Sequence, residues 1–68
     1  MREIELRGGV IRLGQLLKLV DLADSGADAK LLLADGQVTV NGEPEQRRGR
    51  QIRPGDVVVA AGQEIRAS

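Results

Sequence analysis

Several residue types are missing, and each absence removes a class of function. The 68 residues contain no cysteine, histidine, phenylalanine, tyrosine or tryptophan. Without cysteine there is no disulfide staple, and without cysteine or histidine there is no ordinary zinc site, so only a bare carboxylate metal site would remain. General acid–base and nucleophilic catalysis lose histidine, cysteine and tyrosine as poised groups, leaving carboxylates, lysines and two hydroxyls of note, Ser25 and Thr39. No GxxxxGK[ST] or GxGxxG pattern cradles a phosphate. A non-enzymatic protein with no cofactor and no small-molecule substrate is expected. No charged-then-apolar leader and no long apolar run occurs, so the expected setting is the cytoplasm, without a membrane.

What is present is aliphatic and charged. Leu, Ile and Val supply nine, four and seven residues, enough for one small core. A chain of this length is expected to form one domain, residues 1–68, burying only about 60% of its unfolded surface. Ten basic and ten acidic residues cancel to zero net charge. The overall field therefore gives no hint of a polyanionic partner, and any such partner must be read from how the charge is distributed.

Residues Arg2–Leu6 alternate polar and apolar, which suits a strand, and Gly8-Gly9 breaks it. From Arg12 the period changes: Leu13, Leu16, Leu17 and Val20 form the apolar stripe of a helix. Ser25 followed by Asp28 resembles a capping box and opens a second helix that ends at Gly36. Ala29, Leu32 and Leu33 share the core face of that helix, and Leu31 falls off it. Val38-Thr39-Val40 alternates into Asn41-Gly42, a strong hairpin signal. Pro44 removes a donor from the returning strand, making it an edge. Arg53-Pro54-Gly55-Asp56 is a turn, and 57–60 pairs with 63–67 around Ala61-Gly62. The sum is an α+β fold, with two short helices packed on a small antiparallel sheet.

The acids come in close pairs, Glu3/Glu5 and Glu43/Glu45. Spacing by two on a strand puts both members on one face, ordinarily the solvent face. The basic residues are less evenly spread. Arg47, Arg48, Arg50 and Arg53 sit within seven residues, and Glu45 and Asp56 are the nearest acids. A solvated loop whose arginines pair with Glu43 and Glu45 is one explanation. A phosphate-binding surface is the other, since the planar guanidinium matches phosphate. Arg12, Lys18 and Lys30 join the same surface if the sheet folds back beside the helices. With no aromatic ring to stack on bases, such a surface would hold folded RNA by phosphate and 2′-OH contacts.

Residues 11–42, "IRLGQLLKLVDLADSGADAKLLLADGQVTVNG", resemble the RNA-binding domain named after small-subunit ribosomal protein S-four. The resemblance rests on Arg12-Leu13, Ser25, Ala29, Gly36, Val38, Val40, Asn41 and Gly42, and on Gly55, Asp56 and Val58. "SGADAK" and "EQRRGRQI" are most similar to the small stand-alone bacterial branch. The resemblance implies two helices on a small sheet and binding of structured RNA, ribosomal RNA in particular; a monomer, associated with the ribosome, is expected. It implies RNA-contacting roles for Arg12, Lys18, Lys30, Arg47, Arg48, Arg50 and Arg53. Two positions depart from the pattern. Gly26 stands where many members carry Arg after the Ser, and Gly14 where many carry an acid that helps start the first helix. The alternative function is a protein–protein interaction module or small accessory subunit using the hairpin edge or the 57–59 strand.

Overall fold

In the computed structural model, which describes residues 2–68, the chain runs β1 (Arg2–Ile4), β2 (Ile11–Arg12), α1 (Leu13–Leu19), α2 (Gly26–Ala34), β3 (Val38–Val40), β4 (Glu43–Pro44), β5 (Gln51–Ile52), β6 (Val57–Ala60) and β7 (Gln63–Ala67). Five strands form one sheet in the order β1-β7-β6-β3-β4, and β2 pairs with β5 in a separate two-stranded ribbon. The α+β class is as expected. The sheet is mixed, however, because β1 runs parallel to β7 while every other pair is antiparallel. Alternation in a strand fixes which side chains face the core but says nothing of the direction of its partner. The ladder continues past β1 through Ser68 N–H to Ile4 C=O (2.8 Å) and Leu6 N–H to Ser68 C=O (2.8 Å).

The turns follow from residues that accept a left-handed backbone. Asn41 and Gly42 take φ of 53° and 86°, and Ala61 and Gly62 take 49° and 78°, the two consecutive positive values of a type I′ hairpin turn. Asn41 also ties its turn to the start of β6. Its side-chain carbonyl accepts from Val57 N–H at 2.9 Å, and its amide donates to Asp56 Oδ1 at 3.0 Å.

Both helices end on a residue in the left-handed region. After α1, Asp21 adopts φ 62°, Leu22 N–H donates to Leu17 C=O (3.0 Å) and Asp21 N–H to Lys18 C=O (3.1 Å), which is a Schellman motif with Asp in the glycine position. After α2 Gly36 takes the left-handed position with φ 73°, and its N–H donates to Leu33 C=O at 3.2 Å. Ser25 Oγ accepts from Asp28 N–H at 3.2 Å, the N-cap read from the sequence. The return half of the box reaches one residue further back, to Asp24 N–H at 3.3 Å.

One face of the sheet packs against the helices. The stripe Leu13, Leu16, Leu17 and Val20 is buried, with Ala29 and Leu33 from α2, Val38 and Val40 from β3, Ile52, Val58, Ala60, Ile65 and Ala67. Register brings these together in rows, Val40 opposite Val58 and Val58 opposite Ile65. Leu32 is half-buried and Leu31 is exposed, as the helical count requires.

Candidate RNA-binding surface

Two short strands decide where the arginine segment goes. β2 pairs with β5 through Ile11–Ile52 and Arg12–Gln51, so the chain after Arg50 is fixed beside the residue that precedes α1. The helix start then uses the loop as its cap. Arg12, at the N-cap, offers no side-chain acceptor. Instead Leu13 N–H donates to Arg50 C=O at 2.8 Å and Gly14 N–H to Arg48 C=O at 3.0 Å. Two of the four amides that a helix start leaves unpaired are satisfied in this way. An acid at position 14 is therefore not needed to start α1, because a distant loop does the work.

Gly14 serves the same junction by having no side chain. A Cβ there would stand 3.0 Å from Arg48 Cγ, tighter than an ordinary contact, so the Arg48 stem lies in space that glycine leaves free. Gly26, the first residue of α2, faces the other end of that side chain: a Cβ there would meet Arg48 Nη1 at 3.6 Å. Arg48 thus spans from the start of α1 to the start of α2. Around it is a cleft of about 280 Å³ lined by Arg12, Gln15, Lys18 and Arg48, with Gly14, Gly26, Ala29 and Gly49 in its walls. Three cations and no carboxylate line it.

A wider and shallower depression of about 740 Å³ holds the other cluster members, Arg47, Arg50 and Arg53, with Gly49, Gln51 and Asp56. Gly49 borders both. Here the cations have partners. Glu45 accepts from Arg50 Nη1 at 2.9 Å and from Arg47 Nε at 3.3 Å, and these are the ion pairs found among the described residues. Arg53 donates to Gln51 Oε1 at 3.0 Å, while its backbone N–H donates to Asp56 Oδ2 at 2.9 Å.

Glu45 corrects one sequence expectation. β4 ends at Pro44, so the period-two argument that put Glu43 and Glu45 together on the solvent face fails after one step. Glu43 is exposed, whereas Glu45 turns inward and is only 7% exposed. It also accepts from the backbone N–H groups of Gln46 (3.1 Å) and Arg47 (3.2 Å). The side-chain bonds from Arg47 and Arg50, followed by the Arg47 amide, bring its carboxyl down from an ordinary 4.5 to about 2. Asp56 is lowered too, first by the Arg53 amide and then by the Asn41 side chain.

Of the seven basic residues singled out in the sequence, the structure gathers Arg12, Lys18 and Arg48 in the cleft and Arg47, Arg50 and Arg53 in the adjoining depression. Lys30 lines neither; it is exposed one turn along α2 from Gly26, on the same flank of that helix. Sequence reading did not find Gly49 as the divider or Glu45 as the anchor. Gly14 and Gly26 stood out only as departures, and the close packing of Arg48 is what explains them.

Among the described residues no group of three or more potential ligands could hold a metal ion, and no helix is long and apolar enough to cross a membrane. The sequence model of the family described as "S4 domain" matches residues 4–67. Among curated proteins, the chain is 51% identical over 53 residues to a probable ribosome maturation protein, RlbA, of Bacillus subtilis, covering 78% of this chain and 75% of the relative. It is 42% identical over 55 residues to a putative RNA-binding protein, YbcJ, of Escherichia coli, covering 81% of this chain and 79% of the relative.

Proposed function

From the premise that this chain belongs to the S4 domain family, we propose that it is a non-enzymatic RNA-binding module that grips structured RNA, ribosomal RNA in particular, by its phosphate backbone. The observation that carries this reading is the cleft where Arg12, Lys18 and Arg48 converge with no acid among its lining residues. On a chain of zero net charge, such a concentration focuses positive potential locally. Gly26, the first residue of α2, borders the same cleft and adds the positive end of that helix.

Arg48 also answers the missing arginine after Ser25. Its guanidinium stands beside Gly26, so the loop supplies a cation near where many family members supply one from α2. Lys30 extends the surface along α2. Arg47, Arg50 and Arg53 form an outer bank whose charge is largely balanced by Glu45 and Asp56. Contact by shape suits a protein without aromatic rings, because neither base stacking nor reading of splayed bases is on offer. The names of the two relatives, one concerned with ribosome maturation and one with RNA, point the same way. We infer a monomeric cytoplasmic protein, a single domain that meets its RNA on or near the ribosome.

The test is retention on refolded ribosomal RNA. Charge reversal of Arg12, Lys18 and Arg48 to Glu is expected to abolish retention while circular dichroism stays native. Undiminished retention by that folded triple variant would remove the cleft from the RNA interface.

A further inference from the structure

Glu45 has an unusual position for an acid in an RNA-binding segment. It is buried two residues ahead of the arginine run and accepts five hydrogen bonds, all from residues 46–50. The ion pair with Arg47 adds little to stability. Arg47 is 78% exposed at its side chain, and pairs that open to water contribute little to stability. What the bonds do is geometric. They pull the two ends of the loop onto one carboxylate, Arg47 at one side and Arg50 at the other, and Arg50 N–H closes the turn on Arg47 C=O at 3.3 Å. Arg48 and Gly49 lie between those anchors. The same short stretch presents the carbonyls of Arg48 and Arg50 to the first two amides of α1 and lays the Arg48 stem over Gly14.

We propose that Glu45 is a positioning residue for RNA binding, which touches no RNA itself but holds the 46–50 loop in the one shape that carries Arg48 across Gly14 to Gly26. This rests on the RNA reading above and adds to it a source of preorganisation. A loop already ordered before the RNA arrives does not have to be ordered by it, and the entropy of fixing rotamer-rich arginines is spent at folding.

The proposal makes a prediction of opposite sign to simple charge counting. Removing a carboxylate from a phosphate-binding face raises its positive charge and by electrostatics alone should tighten binding. Loss of positioning should weaken it. The experiment measures dissociation constants of wild type, Glu45→Gln, Glu45→Ala and Arg48→Glu for one fixed pool of refolded ribosomal RNA fragments. It is done well below the melting temperature, with thermal melts and amide exchange of Leu13 and Gly14 in parallel. Glu45→Gln is expected to keep a cooperative melt, to lose protection at those two amides and to bind about 3- to 10-fold more weakly, the cost of re-ordering one or two long side chains. Glu45→Ala is expected to bind no better than Glu45→Gln.

Equal or tighter binding by Glu45→Gln overturns the proposal. So does loss of its cooperative melt, because the carboxylate would then hold up the whole fold and not the loop. Arg48→Glu separates the two claims. If it binds like wild type, the cleft reading fails, whereas if it abolishes binding while Glu45→Gln binds normally, positioning alone fails.

Discussion

At the scale of single residues, the backbone does things that some side chains advertise and others conceal. Asn41-Gly42 was legible because that pair is the ordinary occupant of two left-handed positions, and both angles are found there. Ala61 and Asp21 hold the same kind of conformation, at φ 49° and 62°, Ala61 with no easing side chain and Asp21 with a less favourable one than glycine. A Cβ in that region costs about 1 kcal/mol or more. Ala61→Asn and Asp21→Gly are therefore each expected to stabilise the fold by about 0.5–1 kcal/mol, raising the melting temperature by several degrees. A melting temperature that falls in either variant would show that the turn relies on the present side chain. Ser25 was legible too, since its hydroxyl caps α2 as its spacing to Asp28 suggests. Glu45 was not. The expectation that it shares a strand face with Glu43 assumed that β4 continues, and Pro44 ends it.

At the scale of elements, the helices and the β3–β4 and β6–β7 hairpins could be read from periodicity, since their buried rows are the apolar positions of each period. Long-range partners could not. Nothing local marks β1 as parallel to β7, and two-residue strands such as β2 and β5 carry too few side chains for a pattern. Their pairing is nonetheless what seats the arginine loop on α1. The loop's acid anchor gives this arrangement a pH signature. Because the folded carboxyl of Glu45 is held near 2 against an ordinary 4.5, its contribution is complete above about pH 4.5 and is lost progressively as the pH falls toward 2. Asp56, lowered by the Arg53 amide and Asn41, acts in the same direction. Unfolding midpoints measured between pH 7 and 2 should therefore decline in acid, and the decline should be smaller in Glu45→Gln. An identical acid profile in parent and variant would mean that the carboxylate is not held as the hydrogen bonds indicate.

At the scale of the whole molecule, net charge misleads and placement decides. Ten bases against ten acids would describe a protein indifferent to RNA. The fold sorts them instead. Arg12, Lys18 and Arg48 meet in a cleft without carboxylates, while Arg47 and Arg50 are drawn to a buried one. Sequence reading found all of these cations but treated the four clustered arginines as equals, because nothing in the spacing shows that Glu45 takes two of them and leaves Arg48 to the helices. If binding is by phosphate contact, the contacts should number nearer four than seven: the three cleft cations and Lys30. The measurement that tests this most directly is the slope of log binding constant against log salt for refolded ribosomal RNA, in wild type and in the Arg12/Lys18/Arg48→Ala variant. Four contacts predict a slope of about −3 to −4 for wild type and about −1 for the variant. A wild-type slope near zero, or one that the triple substitution leaves unchanged, would contradict the account.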